Sequence, residues 1–127
     1  MVNSQEGVIA GIHAIEHAMQ SMFPLEVLCS ENDIIGLSVS RHQHTDAPTI
    51  FILDGVKGGA GLSKSGYDQI NSLLQKAKSV ISSCDCQGGC PSCIYLNSCR
   101  SQNRVLNKEL ALYVLGNLAD EQYGEQN

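Results

Sequence analysis

The sequence contains no tryptophan, and its few tyrosines and phenylalanines bring the aromatic content to only 5%. Proteins that bind single-stranded nucleic acid by base stacking need aromatic side chains, so this scarcity argues against a dedicated binder of that kind. Basic residues are also scarce, since 8 lysines and arginines stand against 13 acidic residues, for a net charge of −5. That balance argues against a simple basic nucleic-acid-binding protein.

Long apolar runs are absent as well. No run approaches the roughly 20 residues of a membrane span, and residues 1–22 lack the basic start and apolar core of a signal peptide. We therefore expect a soluble, cytoplasmic protein without membrane contact. Neither a Walker A loop nor a D-E-x-[DH] box occurs, so ATP-driven unwinding cannot reside in these residues.

Cysteine, by contrast, is concentrated in one place. The stretch from Cys84 to Cys93 reads CDCQGGCPSC, with the spacing C-x-C-x3-C-x2-C, and four thiolates can satisfy one tetrahedral Zn²⁺ ion. Gly88 and Gly89 permit positive φ where the backbone curls around an ion, and Pro91 stiffens the following turn. The pattern predicts a closed, structural zinc site. The predicted ligands are Cys84, Cys86, Cys90 and Cys93, with Cys99 in reserve.

Three other interpretations of the cysteines compete with zinc. Disulfides are disfavoured because cysteines one residue apart pair poorly and an intracellular chain keeps its thiols reduced. An iron–sulfur cluster held by four thiolates is the alternative cofactor; the embedded C-x3-C-x2-C spacing of radical S-adenosylmethionine enzymes lacks the length of chain that their barrel needs. Cysteines that pack as small hydrophobic side chains are the third interpretation, and Cys29 in the apolar stretch LEVLC fits it.

Hydrophobic periodicity predicts a small single domain of mixed α/β class, with a few short strands packed against about three helices and the zinc site at one end. Helices are expected over residues 7–22, ended by Pro24, over 62–82 and over about 105–118. Strands are expected at GLSVS and at TIFILD, and the TIFI part of the second strand is expected to be buried on both faces. We assign residues 1–119 to the domain and 120–127 to a flexible tail.

Charge is distributed unevenly along the chain. Residues 55–108 carry seven basic and two acidic side chains and net +5, whereas the remainder nets −10. This asymmetry predicts a basic side that carries the metal, although a merely solvated surface is an equally good interpretation. Four cations near the cysteines are candidates to offset the thiolate charge and to contact nucleic acid or a partner: Lys76, Lys78, Arg100 and Arg104.

Two further patterns resemble active-site motifs. His13, Glu16 and His17 match H-x-x-E-H, in which two histidines hold zinc and the glutamate acts as a base. A hydrolase would need a third ligand and a cleft, so helix histidines that contact a neighbouring element are the favoured interpretation. The glycine-rich stretch from Asp54 to Gly61 lies between a strand and a helix, where phosphate loops occur. Asp54 is expected to cap that turn, and a backbone contact to a nucleic-acid phosphate is the alternative.

Taken in order, five segments resemble a known family: HAIEHAM, LCSENDIIG, FILDGVKGGAGLS, CDCQGGCPSC and NRVLNKELAL. Their series, over roughly residues 8–118, resembles the C-terminal zinc-binding domain of mitomycin-repair-factor-A-type DEAD/DEAH-box helicases, superfamily 2 enzymes related to RecQ. The resemblance implies the same four zinc ligands. It also implies that a set of other residues belongs to the family framework rather than to an active site: His13, His17, Asp33, Asp54, Gly58, Gly59 and Gly61.

The resemblance implies a non-catalytic accessory domain of a DNA or RNA helicase with a role in DNA repair. Its partner would be a helicase motor in cis or in trans, with weak binding of DNA or RNA. The chain is then either a domain of a helicase or a free-standing homologue. The alternatives are a stand-alone protein-interaction module stabilised by zinc and, more remotely, a metallohydrolase that uses His13, Glu16 and His17.

Overall fold

The computed structural model describes residues 4–27, 29, 33–39, 41–44, 46–55, 61–96, 99 and 102–118. These residues form four helices and one two-stranded antiparallel sheet in the order α1, β1, β2, α2, α3, α4. The mixed α/β class is confirmed. The predicted tail, residues 120–127, lies outside the described residues.

Helix α1, Ser4–Glu26, is the central element. It packs against α3 and α4 on one side and against the sheet on the other. Its middle is therefore buried around most of its circumference, with Ala14, Ile15 and Ala18 almost fully inaccessible. Gly11 lets α4 approach closely, because a Cβ there would lie 2.9 Å from Leu110 Cβ. No helix among the described residues is long and apolar enough to cross a membrane.

The prediction that α1 ends before Pro24 is wrong, since the helix continues through Pro24 to Glu26. A proline removes one backbone donor from a helix but leaves the next turn able to form. Here the Val27 N–H donates to the Phe23 carbonyl at 2.9 Å. Phe23 and Val27 are both buried in a second core cluster, and this tertiary burial offsets the missing hydrogen bond.

Strands β1, Ile34–Val39, and β2, Thr49–Asp54, pair with Ile34 opposite Asp54 and Val39 opposite Thr49. Both predicted strands are confirmed, and β1 begins two residues earlier than GLSVS. The expectation that TIFI is buried on both faces is wrong, because β2 is only half-buried. With two strands and one packed face, no second layer covers the other side among the described residues.

The single helix predicted over residues 62–82 is two helices, α2 at Leu62–Asp68 and α3 at Ile70–Ser83. The break falls at Gln69, whose N–H donates to the Gly66 carbonyl three residues back. Gly66 packs directly against the Phe23 ring, where any Cβ would come within 2.3 Å of a ring carbon. The inward stripe of α3 is confirmed: Leu73, Ala77 and Ile81 are buried.

Helix α4, Lys108–Leu118, begins three residues later than predicted. Asn107 caps it, since its Oδ1 accepts the Leu110 N–H at 2.9 Å. Asn103 and Val105 have positive φ values of 62° and 57°, which keeps the preceding chain out of the right-handed helical region. The described residues between the cysteine-rich turn and α4, namely 95, 96, 99 and 102–107, therefore form a connection without helix or strand.

Candidate metal centre

The four clustered cysteines bring their sulfur atoms together at one point, all within 4.8 Å of one another. The Sγ atoms are 3.4 Å apart for Cys84 and Cys90, 3.5 Å for Cys86 and Cys93, and 3.8 Å for Cys90 and Cys93. Four thiolates around one tetrahedral zinc would be about 3.8 Å apart. None of the six cysteines forms a disulfide, so the arrangement fits a metal ion.

Backbone hydrogen bonds shape the turn that carries these sulfurs. The Cys90 carbonyl accepts the N–H groups of Cys93 at 3.0 Å and Tyr95 at 3.1 Å, which closes the second half of the loop. Gly89 has φ of 139°, and a Cβ there would lie 2.7 Å from the Tyr95 ring. Gly89 is thus required both for its backbone conformation and for space, whereas a Cβ on Gly88 would meet nothing within 4 Å.

The cysteine cluster rests on the main hydrophobic core. Cys93 and Ile94 are members of that core, and Cys84, Cys86 and Cys90 pack against it. Burial raises the pKa of the Cys93 thiol to about 12. A metal ion would reverse this penalty because it holds the sulfur as a thiolate. A bound ion would therefore join the end of α3 to the centre of the fold.

Lys108 hydrogen-bonds to the cysteine cluster, although it is not among the four cations that the sequence predicts to lie near that cluster. Its Nζ donates to the carbonyls of Cys84 and Cys86, both at 2.8 Å, and to Cys86 Sγ at 3.2 Å. Burial opposes ionisation of Cys86, but the hydrogen bond from Lys108, with those of the neighbouring thiols, lowers its pKa to about 6. One signal was available: a lysine at the first position of a helix opposes the helix dipole and needs another partner.

The four cations proposed from the sequence have other surroundings. Lys76 forms an ion pair with Glu26 at 3.3 Å, and Arg104 donates to the Gln102 side chain at 3.3 Å. Lys78 is half-buried on α3, and Arg100 lies outside the described residues. Lys108 hydrogen-bonds directly to Cys86 Sγ, because α4 begins beside the cysteine turn.

A second group of potential ligands lies on α1. His13, His17 and Cys99 place one donor atom each within 4.8 Å of one another, and His13 Nε2 lies 3.7 Å from Cys99 Sγ. Cys99, held in reserve for the first cluster, therefore lies with the histidines. Burial lowers the pKa of His17 to about 4, so this imidazole is neutral at physiological pH.

Glu16, the third member of the H-x-x-E-H pattern, is directed to a different neighbour. Its Oε2 accepts a hydrogen bond of 2.7 Å from Gln20 Nε2, and both side chains press on Gly36 in β1. Burial raises the pKa of the Glu16 carboxyl. The two histidines instead contact the loop before α4 through the carbonyls of Ile94 and Val105.

Asp54 is expected from the sequence to cap the turn that follows β2. Its Oδ2 accepts the Gly61 N–H at 3.1 Å, and Gly61 has φ of 74°. The predicted cap of this turn is confirmed. Gly58 and Gly59, which carry the alternative of a phosphate contact, lie outside the described residues.

Comparison with known proteins identifies the family. The sequence profile of MZB, the MrfA Zn-binding domain, matches residues 15–94, more than half of the chain. The chain belongs to this family. An uncharacterized protein of Methanocaldococcus jannaschii is 36% identical over 110 residues, which cover 84% of this chain and 98% of that protein.

Segments of longer helicases are similar to this chain. The uncharacterized ATP-dependent helicase YprA of Bacillus subtilis is 33% identical over 94 residues, which cover 72% of this chain and 13% of YprA. The crystal structure of the DUF1998 helicase MrfA bound to DNA matches with a TM-score of 0.71 and 29% identity, covering 93% of this chain and 15% of that one. The MrfA zinc-binding domain is thus an accessory part of these much longer helicases.

The limits of the family match separate the two ligand groups. Residues 15–94 include all four cysteines of the first cluster. The matched region includes His17 but neither His13 nor Cys99, so two of the three members of the second group lie outside it. Lys108 lies outside it too, although it contacts the first cluster directly.

Proposed function

We propose that this chain is a non-catalytic accessory domain that docks on a helicase motor, with one structural zinc ion bound by Cys84, Cys86, Cys90 and Cys93. The observation that carries the proposal is an exposed apolar face on the sheet of a domain whose relatives lie within helicases. The zinc maintains the fold, and the sheet face provides the contact with the motor.

The chemistry of the donor set supports zinc in this role. Four sulfurs at near-tetrahedral spacing would fill all the positions around a zinc ion and leave none open for a substrate. Lys108 hydrogen-bonds to one of these sulfurs. Such closed sites are structural. When bound, the ion supplies a cross-link between the end of α3 and the core. Elemental analysis distinguishes it from the iron–sulfur alternative, which would bring iron and acid-labile sulfide.

The docking face follows from the sheet register. Ile34 and Gly36 face α1, so the alternate positions of β1 and their partners on β2 face outward. Ile35, Leu37 and Leu53 on that outer face are exposed by 51%, 51% and 47%. Ile35 pairs directly with Leu53, which makes the apolar surface continuous. Contiguous apolar patches of this kind mark protein–protein contacts.

Comparison with the relatives favours the helicase motor as the partner that covers the exposed sheet face. In YprA and MrfA the domain makes up 13% and 15% of the chain, so the remainder of the helicase is available to cover the face. The Methanocaldococcus jannaschii relative, which this domain spans almost completely, favours a second candidate. That candidate is a free-standing module that binds its partner in trans.

Binding of DNA or RNA by the isolated domain is expected to be weak. Several basic side chains of the +5 segment already have acidic or thiol partners: Lys64 pairs with Asp68 at 3.4 Å, Lys76 with Glu26, and Lys108 with the cysteines. Fewer cations are therefore available to phosphates, and non-specific affinity follows their number. Contact with nucleic acid becomes useful only beside the motor.

The domain by itself carries out no hydrolysis. Glu16, the only candidate base of the H-x-x-E-H pattern, bonds to Gln20 against β1 rather than joining the three-ligand group of the histidines. The reduced thiols are consistent with a cytoplasmic protein. Peptidase activity that disappears in Glu16→Gln would favour the metallohydrolase instead.

Replacement of the outer sheet face tests the docking. The variant Leu37→Asp with Leu53→Asp is compared with Tyr113→Asp, which alters a more exposed side chain, 69% accessible, on α4. The binding partner is the motor of an MrfA-type helicase that lacks its own zinc-binding domain. We expect the sheet variant to lose more than about tenfold in affinity, as for hot-spot residues, and the Tyr113 variant to bind normally. Equal binding by both variants, with zinc content intact, would contradict the proposal.

A further inference from the structure

In the second ligand group, His13, His17 and Cys99, each histidine has one ring nitrogen bonded to a backbone carbonyl, as metal-binding histidines usually do. His13 and His17 lie four residues apart on α1 and therefore on one face of the helix. His17 Nδ1 lies 2.7 Å from the Ile94 carbonyl and His13 Nδ1 lies 3.1 Å from the Val105 carbonyl. A carbonyl only accepts, so each Nδ1 carries the proton and donates it. Each Nε2 is left with its lone pair.

A ring nitrogen of each histidine lies near one thiol. Nε2 of His13 lies 3.7 Å from Sγ of Cys99, and the donor atoms of all three residues lie within 4.8 Å of one another. Zinc with one sulfur and one nitrogen ligand in tetrahedral geometry would hold them about 3.5 Å apart. The two imidazole rings meet edge to face with centroids 4.3 Å apart.

We propose that His13, His17 and Cys99 form a second zinc site, distinct from the four-cysteine centre. Two imidazole nitrogens and one thiolate are a ligand set that zinc accepts readily. Three protein ligands leave a fourth position for water or for a group from a partner. The backbone carbonyls of Ile94 and Val105 form the second shell that orients the histidines.

The contacts of the chain around Cys99, from Leu96 to Val105, indicate what this ion would do. The loop is closed internally by Asn103, which accepts the Leu96 N–H at 2.7 Å and donates to the Leu96 carbonyl at 3.0 Å. Val105 is β-branched and has φ of 57°, a conformation that costs free energy. Its carbonyl nevertheless remains directed at His13. An ion at this point would fasten the loop to α1 and balance that strain.

The two zinc centres would then hold the segment from α3 to α4 at two points. The four-cysteine centre holds the segment at residues 84–93, and the second centre holds it at residue 99. The proposal does not depend on docking to a motor, because every group that it needs belongs to this chain. Two of its three members, His13 and Cys99, lie outside residues 15–94, the region that the family profile matches.

The metal content of the full chain tests the second site. The protein is equilibrated with excess Zn²⁺, separated from unbound ion by gel filtration and analysed for zinc per chain. We expect two zinc ions for the wild type and one for Cys99→Ser and for His13→Gln. Cys29→Ser and His42→Gln change the same residue types away from the site and should retain two. A wild type with one zinc, or a Cys99→Ser variant that keeps two, would overturn the proposal.

Cobalt titration of the wild type decides the question without any variant, should one fail to fold. The first equivalent should give the intense thiolate-to-metal absorption of four sulfur ligands. The second should add about one quarter of that intensity, because one thiolate and two imidazoles bind it. Saturation after a single equivalent would show that Cys99 and His13 share only a hydrogen bond.

Discussion

Replacing Lys108 with methionine isolates the contribution of the lysine to the zinc centre. Methionine keeps the length and the apolar stem of the side chain, which is only 8% exposed, but removes the charge and the three donors of the ammonium group. Those donors bond to two carbonyls and to Cys86 Sγ within 3.2 Å. A zinc ion with four thiolates has net charge −2, which Lys108 partly neutralises.

We expect zinc affinity to fall by about 10- to 100-fold, the usual cost of losing a second-shell partner. The loss should depend on pH. In the metal-free protein burial opposes ionisation of Cys86, but the hydrogen bonds from Lys108 and from the neighbouring thiols lower its pKa to about 6 from an ordinary value of 9.0, which favours the thiolate at neutral pH. In Lys108→Met the pKa rises and zinc must displace a proton. The difference in affinity should therefore grow as the pH falls from about 9 towards 6.

The measurement is competition with a chromophoric chelator at several pH values. Lys64→Met is the matched control, because it removes the same charge from an exposed pair with Asp68 away from the cysteines. That control should bind zinc as the wild type does. A zinc affinity of Lys108→Met within about twofold of the wild type at every pH would show that the Lys108 hydrogen bonds do not strengthen zinc binding.

Two further predictions concern the contact between α1 and β1. Gly36→Ala should cost about 1–3 kcal/mol in urea unfolding, because its Cβ would lie 2.0 Å from Gln20 Nε2; Gly116→Ala, which meets nothing within 4 Å, should not destabilise. Glu16→Gln should raise the free energy of unfolding at neutral pH, because burial penalises the carboxylate and raises its pKa. That advantage should shrink as the pH falls and the wild-type carboxyl becomes protonated; a difference that stays constant from about pH 8 to about pH 5 would contradict this account.

Short-range patterns in the sequence were sufficient for much of this protein. The C-x-C-x3-C-x2-C spacing brings four sulfurs together within a single turn, and the order of five short segments indicates the correct family. Both strands and the inward stripe of α3 also follow from local periodicity. In each case the residues that form the feature are close in sequence, so their spacing predicts the local structure directly.

Other features depend on residues that meet only in the tertiary structure. Helix α1 passes Pro24 because Phe23 and Val27 are buried by distant elements, and the helix break at Gln69 follows the packing of Phe23 on Gly66. Lys108 reaches Cys86 across 22 positions and His13 reaches Cys99 across 86. Such pairs leave no local signature, because the fold determines which side chains become neighbours. The sequence by itself therefore determined the family and the cluster of four cysteines. Only the tertiary structure decided that Lys108 contacts this cluster and that Cys99 lies beside His13.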